Sequence, residues 1–163
     1  MSKFEEGLQV IEERCGNGKD NLISLSTIAL EANAEGKPRP YAREVDAFYE
    51  DGVLYVTTWG ESTKMQQIGK NPEVAFTVCG QWFSGNGLGE NLGWVLDPKN
   101  ADIRAKLRKA FAEWYDFANN EQDERCSILA IRITRATVIK DHGAVVYHMD
   151  FVNRVDTEEG KIR

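Results

Sequence analysis

The sequence predicts a mainly β fold with helices, an antiparallel barrel packed by helices. Three observations lead there. Six or seven segments carry strand character, either apolar–polar alternation or β-branched and aromatic enrichment. Several of the links between them are turns of hairpin type, such as Glu50-Asp51-Gly52 and Asp141-His142-Gly143. The helices, one long and two short, each carry an apolar stripe that needs a sheet or barrel end to cover it. At 163 residues the chain suits one domain with a real core. No repeat, low-complexity stretch or linker divides it. A single domain over 1–163 is expected, with its core over about 20–151, an N-terminal helix over 3–15 and a charged, frayed tail over 152–163.

Residues 3–15 place Phe4, Leu8, Ile11 and Cys15 on one helical face, with Glu5, Glu6, Glu12 and Glu13 toward water. Gly16-Asn17-Gly18 ends the helix. From Asn21 to Leu30, Ile23 and Leu25 alternate with Ser24 and Ser26, as in a half-buried strand. Glu31 to Pro40 is a polar return turn. The strand over 40–48 pairs with the first. Its Ala42, Arg43, Glu44 and Asp46 indicate one face that meets water or a polar ligand.

After the 50–52 turn comes the strand Val53-Leu54-Tyr55-Val56-Thr57-Thr58, then Trp59-Gly60-Glu61-Ser62-Thr63-Lys64 opening a helix over 63–69. Free backbone N–H groups at a helix start meet anions readily. A cation on one strand, with hydroxyls and a second cation on the next loop, suits a phosphate. Each residue also has a plain structural reading. Thr57 and Thr58 are good strand formers, Ser62 is an ordinary N-cap and Lys64 an ordinary solvated charge. Spacing alone leaves both readings open.

Pro72 closes the helix at Asn71, and Glu73 to Cys79 forms the next strand. Residues 80–93 hold five glycines and two aromatics, matching neither a P-loop nor a dinucleotide fingerprint. A wide hairpin or mobile loop is expected there, flanked by Trp82 and Trp94. Asp97-Pro98 starts the main helix. Its stripe is Ile103, Leu107, Phe111, Trp114 and Phe117, through about 118, with Arg104, Lys106, Arg108 and Lys109 on the solvated face. Ser127 to Lys140 reads as a long strand bulged at Thr134-Arg135. The 141–143 turn leads into a last strand, Ala144 to Phe151, where His148 is an ordinary structural histidine.

The net charge of −6, without a run of Lys or Arg, speaks against nucleic-acid binding. No apolar stretch is long enough to cross a membrane. The acidic, amphipathic N-terminus lacks a signal-peptide apolar region, so a cytoplasmic protein is expected. Cys15, Cys79 and Cys126 are odd in number and widely spaced, which predicts reduced, buried thiols. With only His142 and His148 besides, no metal-site spacing arises.

The order helix, strand, turn, Pro40-Tyr41-Ala42-Arg43-Glu44-Val45, hairpin, Leu54-Tyr55-Val56-Thr57-Thr58, Ser62-Thr63-Lys64-Met65, Asn71-Pro72-Glu73-Val74-Ala75-Phe76 resembles the pyridoxamine 5'-phosphate oxidase-like family of flavin-binding split barrels. The resemblance covers about 20–79 well and the rest by element order. It implies a six-stranded antiparallel split β-barrel, a homodimer, and FMN in two clefts at the dimer interface. It makes Arg43 and Lys64 the phosphate cations and Ser62 and Thr63 hydroxyl or backbone donors. Glu44 and Val45 would lie beside the isoalloxazine through their backbone, and Thr57 and Thr58 near the ribityl chain and phosphate. The partner subunit of such dimers contributes aromatic or polar groups around the ring; Gln81, Trp82 and Trp94 are the candidates here.

The chain also departs from the family. Its tail, His148-Met149-Asp150-Phe151-Val152-Asn153-Arg154, lacks the Arg-x-His-type pattern with which the vitamin B6 oxidase holds substrate phosphate, which speaks against pyridoxamine phosphate as substrate. Glu44 stands where an apolar residue or proline is common. Some branches bind haem or a deazaflavin instead of FMN. The expectation is an FMN-binding flavoprotein, an oxidoreductase of unknown substrate, in which the flavin carries the redox chemistry. A non-catalytic flavin- or haem-binding or sensing protein is one alternative, and a structural or interaction domain with its interface on the 80–93 segment and the Trp residues is another. No catalytic acid or base emerges; Tyr41, Tyr55 and Cys79 lack supporting spacing.

Overall fold

The computed structural model describes residues 1–158. Helix α1 (Lys3–Cys15) starts on a capping box. The Ser2 hydroxyl accepts from the Glu5 N–H at 3.1 Å and the Glu5 carboxylate accepts from the Ser2 N–H at 2.8 Å. Its buried face carries Phe4, Gly7, Val10, Ile11 and Cys15, with Leu8 at the margin.

Among the described residues eight strands follow: β1 (Asn21–Ile28), β2 (Pro40–Glu50), β3 (Val53–Trp59), β4 (Glu73–Val78), β5 (Phe83–Trp94), β6 (Cys126–Lys140), β7 (Val145–Asp150) and β8 (Val155–Asp156). All pairings are antiparallel, in the order β3-β2-β1-β4-β5-β6-β7-β8. β3 also pairs with β6, from Val53 opposite Arg132 to Trp59 opposite Cys126. That second pairing closes β1 to β6 into a six-stranded barrel, leaving β7 and β8 outside the ring. The barrel is split between β2 and β3. These pair only over Phe48–Glu50 and Val53–Tyr55, while β2 from Pro40 to Ala47 bonds to β1 alone.

Strand alternation sorts the side chains into two cores. Ile23, Leu25, Ala47, Tyr49, Leu54, Val56, Phe76, Phe83, Leu129 and Ile131 fill the barrel, closed at one end by α1. On the outer face, Phe48 and Ile128 pack with Val95, Leu107, Phe111 and Tyr115. Helix α2 (Thr63–Lys70) buries Met65, Gln67 and Ile68 against β1 and β5.

Four expectations need correction. Residues 80–93 are not a mobile loop; they form the tight turn and the twelve-residue second strand, β5, of a hairpin with β4. A Cβ on Gly85 would lie 2.1 Å from the Arg135 carbonyl oxygen, and one on Gly87 2.7 Å from that of Arg132. These glycines let β5 approach β6 closely, which a loop reading of their composition misses. The main helix is broken as well. A 3-10 turn (Pro98–Asn100) leads into α3 (Ala101–Ala110), and α4 (Tyr115–Ala118) restarts after a non-helical turn. Phe111 and Trp114 stack at 4.7 Å between ring centroids, Tyr115 enters the outer core, and Phe117 is left 97% exposed.

The tail is not frayed over its described part, because β8 returns to pair with β7 and the Asp156 carboxylate accepts from the His148 N–H at 2.9 Å. Residues 159–163 of the expected tail lie outside the described residues. Cys15 and Cys126 are buried free thiols, but Cys79, in the β4–β5 turn, is exposed. The expected bulge in β6 is present: Asn86 faces Arg135 and Gly87 faces Ile133, which leaves Thr134 unpaired with β5. Among the described residues no helix is long and apolar enough to cross a membrane.

Candidate functional site

The open edge of β2, the end of β3 and the start of α2 meet at the mouth of the barrel. Arg43 lies directly opposite Leu25 on β1. Its Nη1 donates to Thr27 Oγ1 at 2.7 Å and its Nη2 to Gln67 Oε1 at 2.8 Å. The Thr27 hydroxyl itself donates to Gln67 Oε1, closing a triangle. The guanidinium lies 4.8 Å from the centre of the Tyr41 ring.

Lys64, in the first turn of α2, donates from Nζ to Thr58 Oγ1 at 2.8 Å. Burial lowers the pKa of Lys64, and the nearby Arg43 charge lowers it further. Burial also lowers that of Arg43. Among the described residues neither cation forms an ion pair. Two partly buried positive charges therefore face each other uncompensated, and an anion between them would relieve both.

The neutral groups around them are also incomplete. Ser62 is the N-cap of α2, yet its hydroxyl makes no cap hydrogen bond and is buried without a partner. Thr63, the first helical residue, is exposed. The Thr57 hydroxyl is likewise buried and unpartnered, but alternation puts it on the opposite face of β3 from Thr58. An orphaned buried hydroxyl carries a desolvation cost that a ligand acceptor would remove.

The remaining candidates divide. Val45 packs on the barrel core beside Arg43, and Glu44 turns out to solvent on the other face of β2. Within one chain, Gln81 and Trp82 are not part of this cluster. Ile23 faces Val78 while Ser26 faces Ala75, so the β4–β5 turn sits at the end of β1 away from Thr27. There the Gln81 carbonyl accepts from Arg14 Nη1 at 2.8 Å, and Trp82 is 70% exposed with a left-handed φ of 52°. Trp94 reaches the right end of the barrel, opposite Ser127, but packs against the outer core, its Nε1 donating to the Glu121 carbonyl at 2.8 Å. Tyr55 also faces the outer core and Cys79 lies in the distant turn. Of Tyr41, Tyr55 and Cys79, only Tyr41 stands beside a cation of the cluster, Arg43.

Sequence reasoning missed Thr27 and Gln67. Both left a trace. Thr27 continues the inward alternation of Ile23 and Leu25, and Gln67 sits between the inward-facing Met65 and Ile68. A polar residue at a core position signals a partner.

No protein-family model and no curated protein matches the sequence. Solved structures do match the fold. A candidate pyridoxamine 5'-phosphate oxidase from Listeria innocua superposes with a TM-score of 0.58 at 14% identity, over 85% of this chain and 98% of that one. A pyridoxamine 5'-phosphate oxidase-related, FMN-binding protein from Nostoc punctiforme gives 0.53 at 15%, over 91% and 87%. A haem-binding protein from Mycobacterium smegmatis gives 0.60 at 15%, over 89% of this chain but 59% of that longer one. The chain has the split-barrel fold that these proteins share.

Proposed function

We propose that the protein is an FMN-binding flavoprotein that works as an oxidoreductase. The observation that carries this reading is the uncompensated pair Arg43 and Lys64 beside the orphaned Ser62 hydroxyl at the start of α2. A phosphate monoester offers a dianion with several acceptor oxygens, which fits two cations, a hydroxyl and free backbone donors. The fold shared with an FMN-binding protein supports the same choice. FMN, when bound, supplies a ring that accepts and returns electrons. The chain's own residues bind and orient. Arg43 and Lys64 hold the phosphate, Ser62 and Thr63 donate to it, and the unpaired edge of β2 at Glu44 and Val45 offers backbone groups to the ring. Thr58 keeps Lys64 Nζ directed into the mouth. The reading includes a homodimer, in which the exposed β4–β5 turn of a second copy approaches the ring.

FMN titration followed by flavin fluorescence tests the proposal. Saturable binding at one FMN per chain is expected, weakened about tenfold or more by Arg43→Ala and by Lys64→Ala, since each removes a charged hydrogen bond. Unchanged affinity in both variants overturns the site. A Soret band in the purified protein would replace FMN by haem. Reduction of the bound flavin by a nicotinamide donor supports an oxidoreductase; inertness toward donors and acceptors alike supports a binder or sensor.

A further inference from the structure

We infer that Gln67 is a positioning residue: an uncharged acceptor that fixes the Arg43 guanidinium at the barrel mouth without cancelling its charge, so that a phosphate-bearing ligand meets a full cation. The inference rests on the anion-site reading of Arg43 and Lys64.

Gln67 is 3% exposed and Thr27 1%. A buried primary amide costs free energy unless its polar atoms are bonded. Gln67 Oε1 takes two donors, Arg43 Nη2 at 2.8 Å and the Thr27 hydroxyl, and Thr27 Oγ1 takes Arg43 Nη1 at 2.7 Å. This closed set leaves the amide one orientation, because the flipped amide would set NH2 against a guanidinium that has only donors. The arrangement spans three elements: β1, β2 and α2. It ties the helix that carries Lys64 to the strand that carries Arg43.

The residue type is informative. Glutamate has nearly the same shape and would form an ion pair with Arg43 in place of the charge–dipole bond seen. That carboxylate would supply the counter-charge that the partly buried Arg43 lacks. It would also place a negative charge where the proposed ligand brings its own. Glutamine holds the guanidinium with a dipole and leaves the charge free. The lowered pKa of Arg43, caused first by burial, agrees with a cation that lacks a counter-charge.

The test compares Gln67→Glu, Gln67→Met, Arg43→Ala and Lys64→Ala, each titrated with FMN and with riboflavin, which lacks the phosphate. Gln67→Glu is expected to melt no lower than the parent, to lose about tenfold to hundredfold in FMN affinity, and to keep its riboflavin affinity. Gln67→Met, neutral but without an acceptor, is expected to fold and to lose FMN affinity less, since Arg43 is freed rather than neutralised. Retained FMN affinity in Gln67→Glu, with affinity lost in Arg43→Ala and Lys64→Ala, overturns the role of Gln67 alone. So does an equal loss of FMN and riboflavin, which would mark a collapsed site. Parent-like FMN binding in Arg43→Ala and Lys64→Ala removes the anion site itself.

Discussion

Asp46 shows how much one half-buried carboxyl contributes. It shares the outer face of β2 with Phe48 and lies against Asp20, whose Oδ2 accepts from Trp114 Nε1 at 2.8 Å. Burial, then the hydrogen bond to Asp20 and its charge, pushes the Asp46 carboxyl up to about 6. The unfolded chain releases that proton near the ordinary aspartate value of about 3.9. Between these values the folded state binds more protons, so stability falls as pH rises through the window, and the loss is complete above it. Asp46→Asn keeps a hydrogen-bonding group and removes the charge. It is expected to raise stability by about 1 kcal/mol near neutral pH, after discounting for solvent screening, and to change little near pH 4. Urea midpoints at the two pH values check this; an equal gain at both would show that the charge is not responsible. The same locality limits what a sequence reveals at this scale. Arg43 and Lys64 stand out because residue type and neighbouring turn signals mark them. Thr27 and Gln67 acquire their meaning only from each other, across forty residues of chain.

The strand β5 carries the corresponding lesson for elements. Most elements are legible because their periodicity is set by the surface they cover: β1 by its alternation, α1 by its stripe, the β6 bulge by its polar interruption. β5 is illegible for the opposite reason. Its glycines answer the approach of a neighbouring backbone, and local composition cannot distinguish that from a flexible loop. The main helix fails similarly, since its stripe continues in sequence while the turn at Phe111–Trp114 rotates the chain. Two glycines test the interpretation in opposite directions. Gly85→Ala forces a Cβ against β6 backbone and is expected to cost about 3 kcal/mol or more, because backbone on both sides must move. Gly69→Ala, near the end of α2 with nothing within 4 Å of the new Cβ, is expected to stabilise by about 0.5–1 kcal/mol through helix propensity. Chemical denaturation of both variants decides it. If Gly85→Ala were as mild as an ordinary surface change, β5 would not need its glycines for close packing.

At the scale of the whole molecule, the long-range pairing that closes the barrel also builds the site. β3 and β6 close the barrel by pairing segments about seventy residues apart, a non-local contact of the kind that slows folding. The loop carrying Ser62, Thr63 and Lys64 hangs from that seam. Gly60 N–H donates to the Arg125 carbonyl at 2.6 Å, and a Cβ on Gly60 would come within 2.7 Å of Ser127 Oγ. The mouth of the barrel is thus assembled only when the barrel is closed, and an anion that binds there binds the folded chain alone. Linkage then gives a measurable consequence. At free FMN about a hundred times its dissociation constant, the folded state gains about 2.7 kcal/mol, which for a chain of this size raises Tm by about 5–10 °C. The same concentration of riboflavin is expected to give a much smaller rise, because it leaves Arg43 and Lys64 uncompensated. In Lys64→Ala the FMN shift should fall toward the riboflavin value while the ligand-free Tm holds or rises, since removing one of two repelling, partly buried cations relieves the free protein. A drop in ligand-free Tm on that substitution, with the FMN shift intact, would mean that Lys64 serves the seam through Thr58 rather than the anion.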